Sequence, residues 1–131
     1  MAEMTTQNII KNCDELKGSG QNWKDVYTKM HVSVKANKFR IFRAGNTLFW
    51  VKLLEPGTGQ VFAFNADPKE KFFENVLQFL KALKAVKYTE IAAVMPVPGL
   101  FRQLQRAGYD VDIEKMPSTE GPTSFKGIIH V

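Results

Sequence analysis

Gln60-Val61-Phe62-Ala63-Phe64, then Asn65-Ala66-Asp67-Pro68, then Phe73, Val76, Leu77, Leu80 and Leu83 at helical spacing form the stretch on which the fold turns. An aromatic and β-branched run gives way, across four turn-forming residues, to an apolar stripe of period 3.6. The spacing predicts a helix over residues 69 to 86. Asp67 is its expected cap, and Pro68 fits the first turn, where an amide has no helical partner to lose. Lys81, Lys84 and Lys87 lie toward the C-terminal end, where cations suit the helix dipole. Ile91-Ala92-Ala93-Val94-Met95 follows, apolar without alternation, as expected of a strand covered on both faces. A strand, a helix and a strand in this order imply a right-handed crossover.

Upstream, Phe39, Ile41 and Leu48-Phe49-Trp50-Val51 favour extended structure. The turns Ala44-Gly45-Asn46 and Glu55-Pro56-Gly57-Thr58-Gly59 join these to the Gln60 strand as an antiparallel meander. Further upstream, Ile9, Ile10, Cys13 and Leu16 predict a helix from Thr6 to Lys17, stopped by Gly18 and Gly20. Asn22 caps a second helix, with Asp25 in its first turn and Trp23, Val26, Tyr27 and Met30 on one face. The end of that helix is open, because Val32 and Val34 alternate with polar neighbours and could begin a strand. Downstream come a turn at Pro96-Val97-Pro98-Gly99, a helix from Leu100 to Ala107 ended by Gly108, and a strand from Tyr109 to Met116. A polar turn over Pro117 to Thr123 leads to a last strand, Ser124 to Val131. The sum is a single α/β domain over residues 1–131, a central mixed sheet with helices on both faces.

Composition narrows the function classes. With 131 residues, 44% hydrophobic and 24% charged, the chain can bury a core without metal or disulfide support. No apolar run reaches the roughly 20 residues that cross a bilayer, and no secretory signal is expected at the N-terminus. Cys13 is the single cysteine, which excludes an internal disulfide and favours a reducing compartment such as the cytoplasm. Neither His31 nor His130 stands at metal-ligand spacing from it, so no metal is expected. A formal charge of +5 from 18 basic and 13 acidic residues suits a solvated basic surface or weak, nonspecific nucleic-acid contact. Aromatics and lysines interleave along the meander; core filling and a base-stacking platform are both open readings.

Ile91-Ala92-Ala93-Val94 followed by Leu100-Phe101-Arg102-Gln103-Leu104-Gln105-Arg106-Ala107-Gly108-Tyr109 resembles the C-terminal half of the GNAT acetyltransferase family. There a strand leads into a helix that ends in glycine and an aromatic residue. The resemblance extends over residues 20 to 131 and implies acetyl-CoA as cofactor. The family's pyrophosphate-binding turn would correspond to Phe64 through Lys71, which holds no glycine. Pro68 lacks an amide, and Asp67 and Glu70 would oppose a phosphate, which leaves Lys69 and Lys71 as the cofactor-binding candidates. The family's thiolate-protonating tyrosine corresponds by counting to Leu104, and its upstream asparagine falls near Val97. Tyr88, Tyr109 and His31 are acid–base groups in principle, without spacing that assembles a site.

These departures imply that no acetyl-CoA site is kept and no cofactor is expected. They point to a non-catalytic, acetyltransferase-like accessory protein acting through a protein partner or self-association, similar to small proteins encoded by bacteriophages and sometimes carried in the virion. Two alternatives stand beside it. One is an acyl-CoA-dependent N-acetyltransferase with an atypical cofactor loop, which requires an open cleft near residues 64–71 and 94–104. The other is a basic nucleic-acid-associated protein.

Overall fold

A computed structural model of the chain describes residues 5–13, 22–95, 98–116 and 124–131. Helix α1 spans Thr6–Lys11 and is capped by Thr5, whose Oγ1 accepts from the Asn8 amide at 3.2 Å. It ends at Asn12, short of the predicted Lys17, and buries Ile9 and Ile10. Leu16, Gly18 and Gly20 lie outside the described residues. Helix α2 spans Trp23–Lys35, with Asn22 Oδ1 accepting from the Lys24 amide at 2.9 Å. Val32 and Val34 continue this helix and begin no strand. Val34 extends the Val26–Met30 stripe by one turn, and Val32 falls off it into solvent.

Strands β1 (Phe39–Ala44), β2 (Thr47–Leu53) and β3 (Thr58–Asn65) form the antiparallel meander. Helix α3, Lys69–Ala85, then crosses to β4 (Glu90–Met95), which runs parallel to β3. Helix α4 (Gly99–Arg106), β5 (Asp110–Met116) and β6 (Ser124–His130) complete a six-stranded sheet of order β1-β2-β3-β4-β6-β5.

Strand alternation assigns the two faces. Phe49 and Val51 of β2 pack toward α3, in a core with Phe79, Leu80 and Leu83. Phe49 and Phe79 stack with centroids 4.1 Å apart, a pair that adds about 0.5–1.5 kcal/mol to the area they bury. Leu48 and Trp50 point the other way, into a second core with Ile9, Ile10, Cys13 and Met30. Cys13, just beyond the end of α1 rather than on its apolar face, is a small buried core residue. Among the described residues no helix is long and apolar enough to cross a membrane, and no group of three His, Cys, Asp or Glu is disposed to hold a metal.

At one end of β6, His130 lies 3.0 Å from Asp112 of β5 and 3.6 Å from Glu90 of β4. The hydrogen bond to Asp112 raises the His130 pKa above the ordinary 6.5, helped by the charges of Asp110, Asp112 and Glu90 and opposed by partial desolvation. A pKa raised on folding contributes stability that is complete below the unfolded value and is lost as pH rises through the folded one. Thermal melts should therefore fall slightly as pH is raised from about 6 to 8, and His130→Gln should abolish that slope. An unchanged slope in the variant would show that His130 does not clamp the three strands.

Candidate functional site

Strands β3 and β4 pair at only three positions, Thr58–Gln60 against Glu90–Ala92. Beyond these both strands continue, to Asn65 and Met95, each still laddered on its outer side to β2 or β6. The sheet therefore splits into a wedge, and a cavity of about 520 Å³ fills the gap. Val61, Ala63, Ala93 and Met95 line it from the α3 side of the sheet, whereas Phe62, Phe64 and Val94 line it from the α2 side. Because neighbouring residues of a strand point to opposite faces, a cavity lined by both sets passes through the plane of the sheet.

The α3 side of the cleft is apolar. Phe72, Val76, Phe79 and Leu80 of α3 and Leu100 and Phe101 of α4 border it. Phe101 lies over Gly127 so closely that a Cβ there would stand 2.4 Å from the ring. The counted acid position, Leu104, is fully buried in the core and does not border the cleft. The residues α4 brings to the wall are one turn earlier, and neither carries a proton donor. Tyr88 is also buried, Tyr109 packs against the core, and His31 is exposed on α2 with its ring 5.8 Å from that of Tyr27. None of the three borders the cavity. Val97 lies outside the described residues. The polar side chains on the wall, among the described residues, are those of Lys29, Gln60 and Asn65.

The loop between β3 and α3 departs from its expected capping. Pro68 is the N-cap, extended at ψ 157, and no side chain caps the helix. Asp67 turns instead toward the β1–β2 turn. Its Oδ2 accepts from the Asn46 amide and from Asn75 Nδ2, both at 2.8 Å, and its Oδ1 accepts from Asn46 Nδ2 at 3.1 Å. Desolvation pushes this carboxyl up, but the Asn46 and Asn75 hydrogen bonds, helped by Lys71, outweigh it and hold the pKa below 3.8. Asn65 supports the same arrangement, accepting from the Asp67 amide and donating to its carbonyl. Gly45, at φ +56, is required beneath this network, since a Cβ would meet Asn75 Oδ1 at 2.7 Å.

The first-turn amides of α3, Lys69, Glu70 and Lys71, consequently keep no side-chain cap, and in sequence they lie between two residues of the cleft wall, Asn65 and Phe72. The side chains of Lys69 and Lys71 are exposed at this turn and do not border the cavity. Lys71 is also engaged by Glu74, 3.3 Å away. Lys81, Lys84 and Lys87 are exposed and do not border the cleft.

No protein-family model matches the chain, and no curated protein matches it in sequence. Solved structures do match in fold. A ribosomal-protein-alanine N-acetyltransferase from Brucella melitensis superposes with a TM-score of 0.63 over 99% of this chain and 98% of its own, at 6% identity. A GNAT-superfamily phosphinothricin acetyltransferase from Sinorhizobium meliloti, in complex with AcCoA, gives 0.63 over 96% and 85%, at 7% identity. A probable GNAT-family acetyltransferase from Chromobacterium violaceum gives 0.59 over 84% and 68%, at 10% identity. The chain has the fold of these acetyltransferases, a mixed sheet flanked by helices.

Proposed function

We propose that the protein is an acyl-CoA-dependent N-acyltransferase, and the observation that carries the reading is the open wedge between β3 and β4. A protein acting only through its outer surface has no need of a gap through its sheet, which forgoes ladder hydrogen bonds along both strands. The inner edge of β3 beyond Gln60 presents backbone groups without a strand partner, a row suited to an extended ligand with amide groups. Apolar walls suit the ligand's thioester end, and the uncapped amides of Lys69, Glu70 and Lys71, between the wall residues Asn65 and Phe72, suit a phosphate.

The objections raised by the loop sequence weaken on this geometry. Asp67 spends its carboxylate on three donors of Asn46 and Asn75. Pro68 occupies the cap, one residue before the first-turn amides. Acetyl-CoA, when bound, supplies the activated acyl group. The residues of the wall exclude water and hold the acceptor amine, and among the described residues they contain no carboxylate, imidazole or phenol to take its proton. An acceptor that enters already deprotonated meets that restriction, and the missing general acid–base group costs about 10²–10⁴ in rate.

Calorimetry with acetyl-CoA at physiological salt tests the proposal. Stoichiometric binding below about 100 μM is expected, within the ordinary range for enzyme substrates. Ala93→Phe, which fills the wedge from β4, should weaken it at least tenfold, with a melting curve confirming that the variant folds. No binding by wild-type protein would return the protein-contact reading to first place.

A further inference from the structure

The α2 side of the cleft differs in chemistry from the α3 side. Phe62, Trp50 and Phe64 form a ring-lined wall, with Trp50 centroids 5.8 and 6.3 Å from its two neighbours. Phe62 remains 41% exposed although it stands on a sheet strand, so its face is available at the mouth. Opposite, Val26 and Lys29 lie one turn apart on α2 and both border the cavity. Among the described residues Lys29 is the only charged side chain on the wall, and it makes no ion pair with any of them. Helix α2 adds Lys24 and Lys35 against a single acidic residue, Asp25, so the local field stays positive.

We infer that this mouth selects an amine acceptor carrying a carboxylate beside an aromatic or branched apolar body, the chemical class of the apolar amino acids. Lys29 is the specificity-determining residue. The three rings take the apolar body, and the Lys29 ammonium pairs with the carboxylate at the rim. A polyamine or a lysine-rich peptide meets the same ammonium as a like charge and is disfavoured. The term acceptor rests on the acyltransfer reading, but recognition of the anion does not, and it is measured without coenzyme.

The probes are N-acetylphenylalanine, which is anionic, and N-acetylphenethylamine, its neutral counterpart, titrated into the intact protein by calorimetry. The anionic probe should bind roughly fivefold more tightly, the scale of a partly exposed ion pair, and the preference should shrink as salt is raised. Lys29→Met should reduce the preference to within about twofold, and Lys29→Arg should retain it. Equal binding of the two probes, an undiminished preference in Lys29→Met, tighter binding of spermidine, or no probe binding below about 10 mM would each overturn the inference. Acetyl-CoA binding is read in a separate titration, so failure of the acyltransfer reading is distinguishable from failure of this one.

Discussion

Leu83→Asp should lower the stability of the domain by at least ~3 kcal/mol, the largest loss expected from any single substitution considered. Leu83 is fully buried where α3 lies on the sheet, and it does not border the cleft. A carboxylate there has no water and, in that apolar core, no partner, so it must stay charged at high cost or take up a proton. Against the ~5–15 kcal/mol that holds a typical domain together, such a loss leaves a substantial unfolded population. Leu80 is almost as buried but borders the cleft, where water can reach the new carboxylate, so Leu80→Asp should cost less. Denaturant melts of the two variants decide the matter. A loss below about 1 kcal/mol for Leu83→Asp would mean that α3 presents a different face to the sheet.

The second large effect concerns a glycine. Gly127→Ala should cost about 1–3 kcal/mol, the usual range for overpacking a filled interior. The added Cβ would meet the Phe101 ring carbons at 2.4 to 2.6 Å, and Phe101 is itself fully buried. Relief requires either the ring or β6 to move, and the ring forms part of the cleft wall. The same substitution should therefore alter acetyl-CoA affinity as well as stability. Adding Phe101→Leu to Gly127→Ala should recover part of the stability, giving a coupling energy of at least ~0.5 kcal/mol in a double-mutant cycle. Strict additivity would show that the two residues are not in contact.

Most of the architecture was legible because it follows from local periodicity. The Phe73–Leu83 stripe, the turns at Gly45 and Gly57 and the apolar Ile91–Met95 run each identify an element without tertiary information. β4 is nevertheless not covered on both faces as its run implied, since Ile91 and Ala93 are buried and Val94 is 44% exposed. The helix–strand ambiguity at Val32 and Val34 arose because a two-residue alternation is too short to distinguish from the continuing stripe through Met30. The site was less legible. The wedge depends on β3 and β4 parting after three paired positions, a matter of how two distant segments meet. Counting residues placed Leu104 at the reacting end. Phe101 and Leu104 share one buried helical stripe, and only the N-terminal turn of α4 reaches the cleft. Asp67 looked like a helix cap because its neighbours in sequence fit that role. Its partners Asn46 and Asn75 are 21 and 8 residues away. Lys29 was one lysine among many until α2 was laid beside the mouth.

The brevity of the β3–β4 joint also divides the sheet into two plates. β1, β2 and β3 form one plate, β4, β6 and β5 another, and each plate is stiffened by two antiparallel ladders of its own. A rotation about the Thr58–Gln60 seam changes the separation of Asn65 from Met95 and leaves all four of those ladders intact. Helix α3 is continuous with both plates and limits how far they can swing. The width of the gap is therefore set by how the two plates pack against α3 in the core they share, and not by any of the four antiparallel ladders.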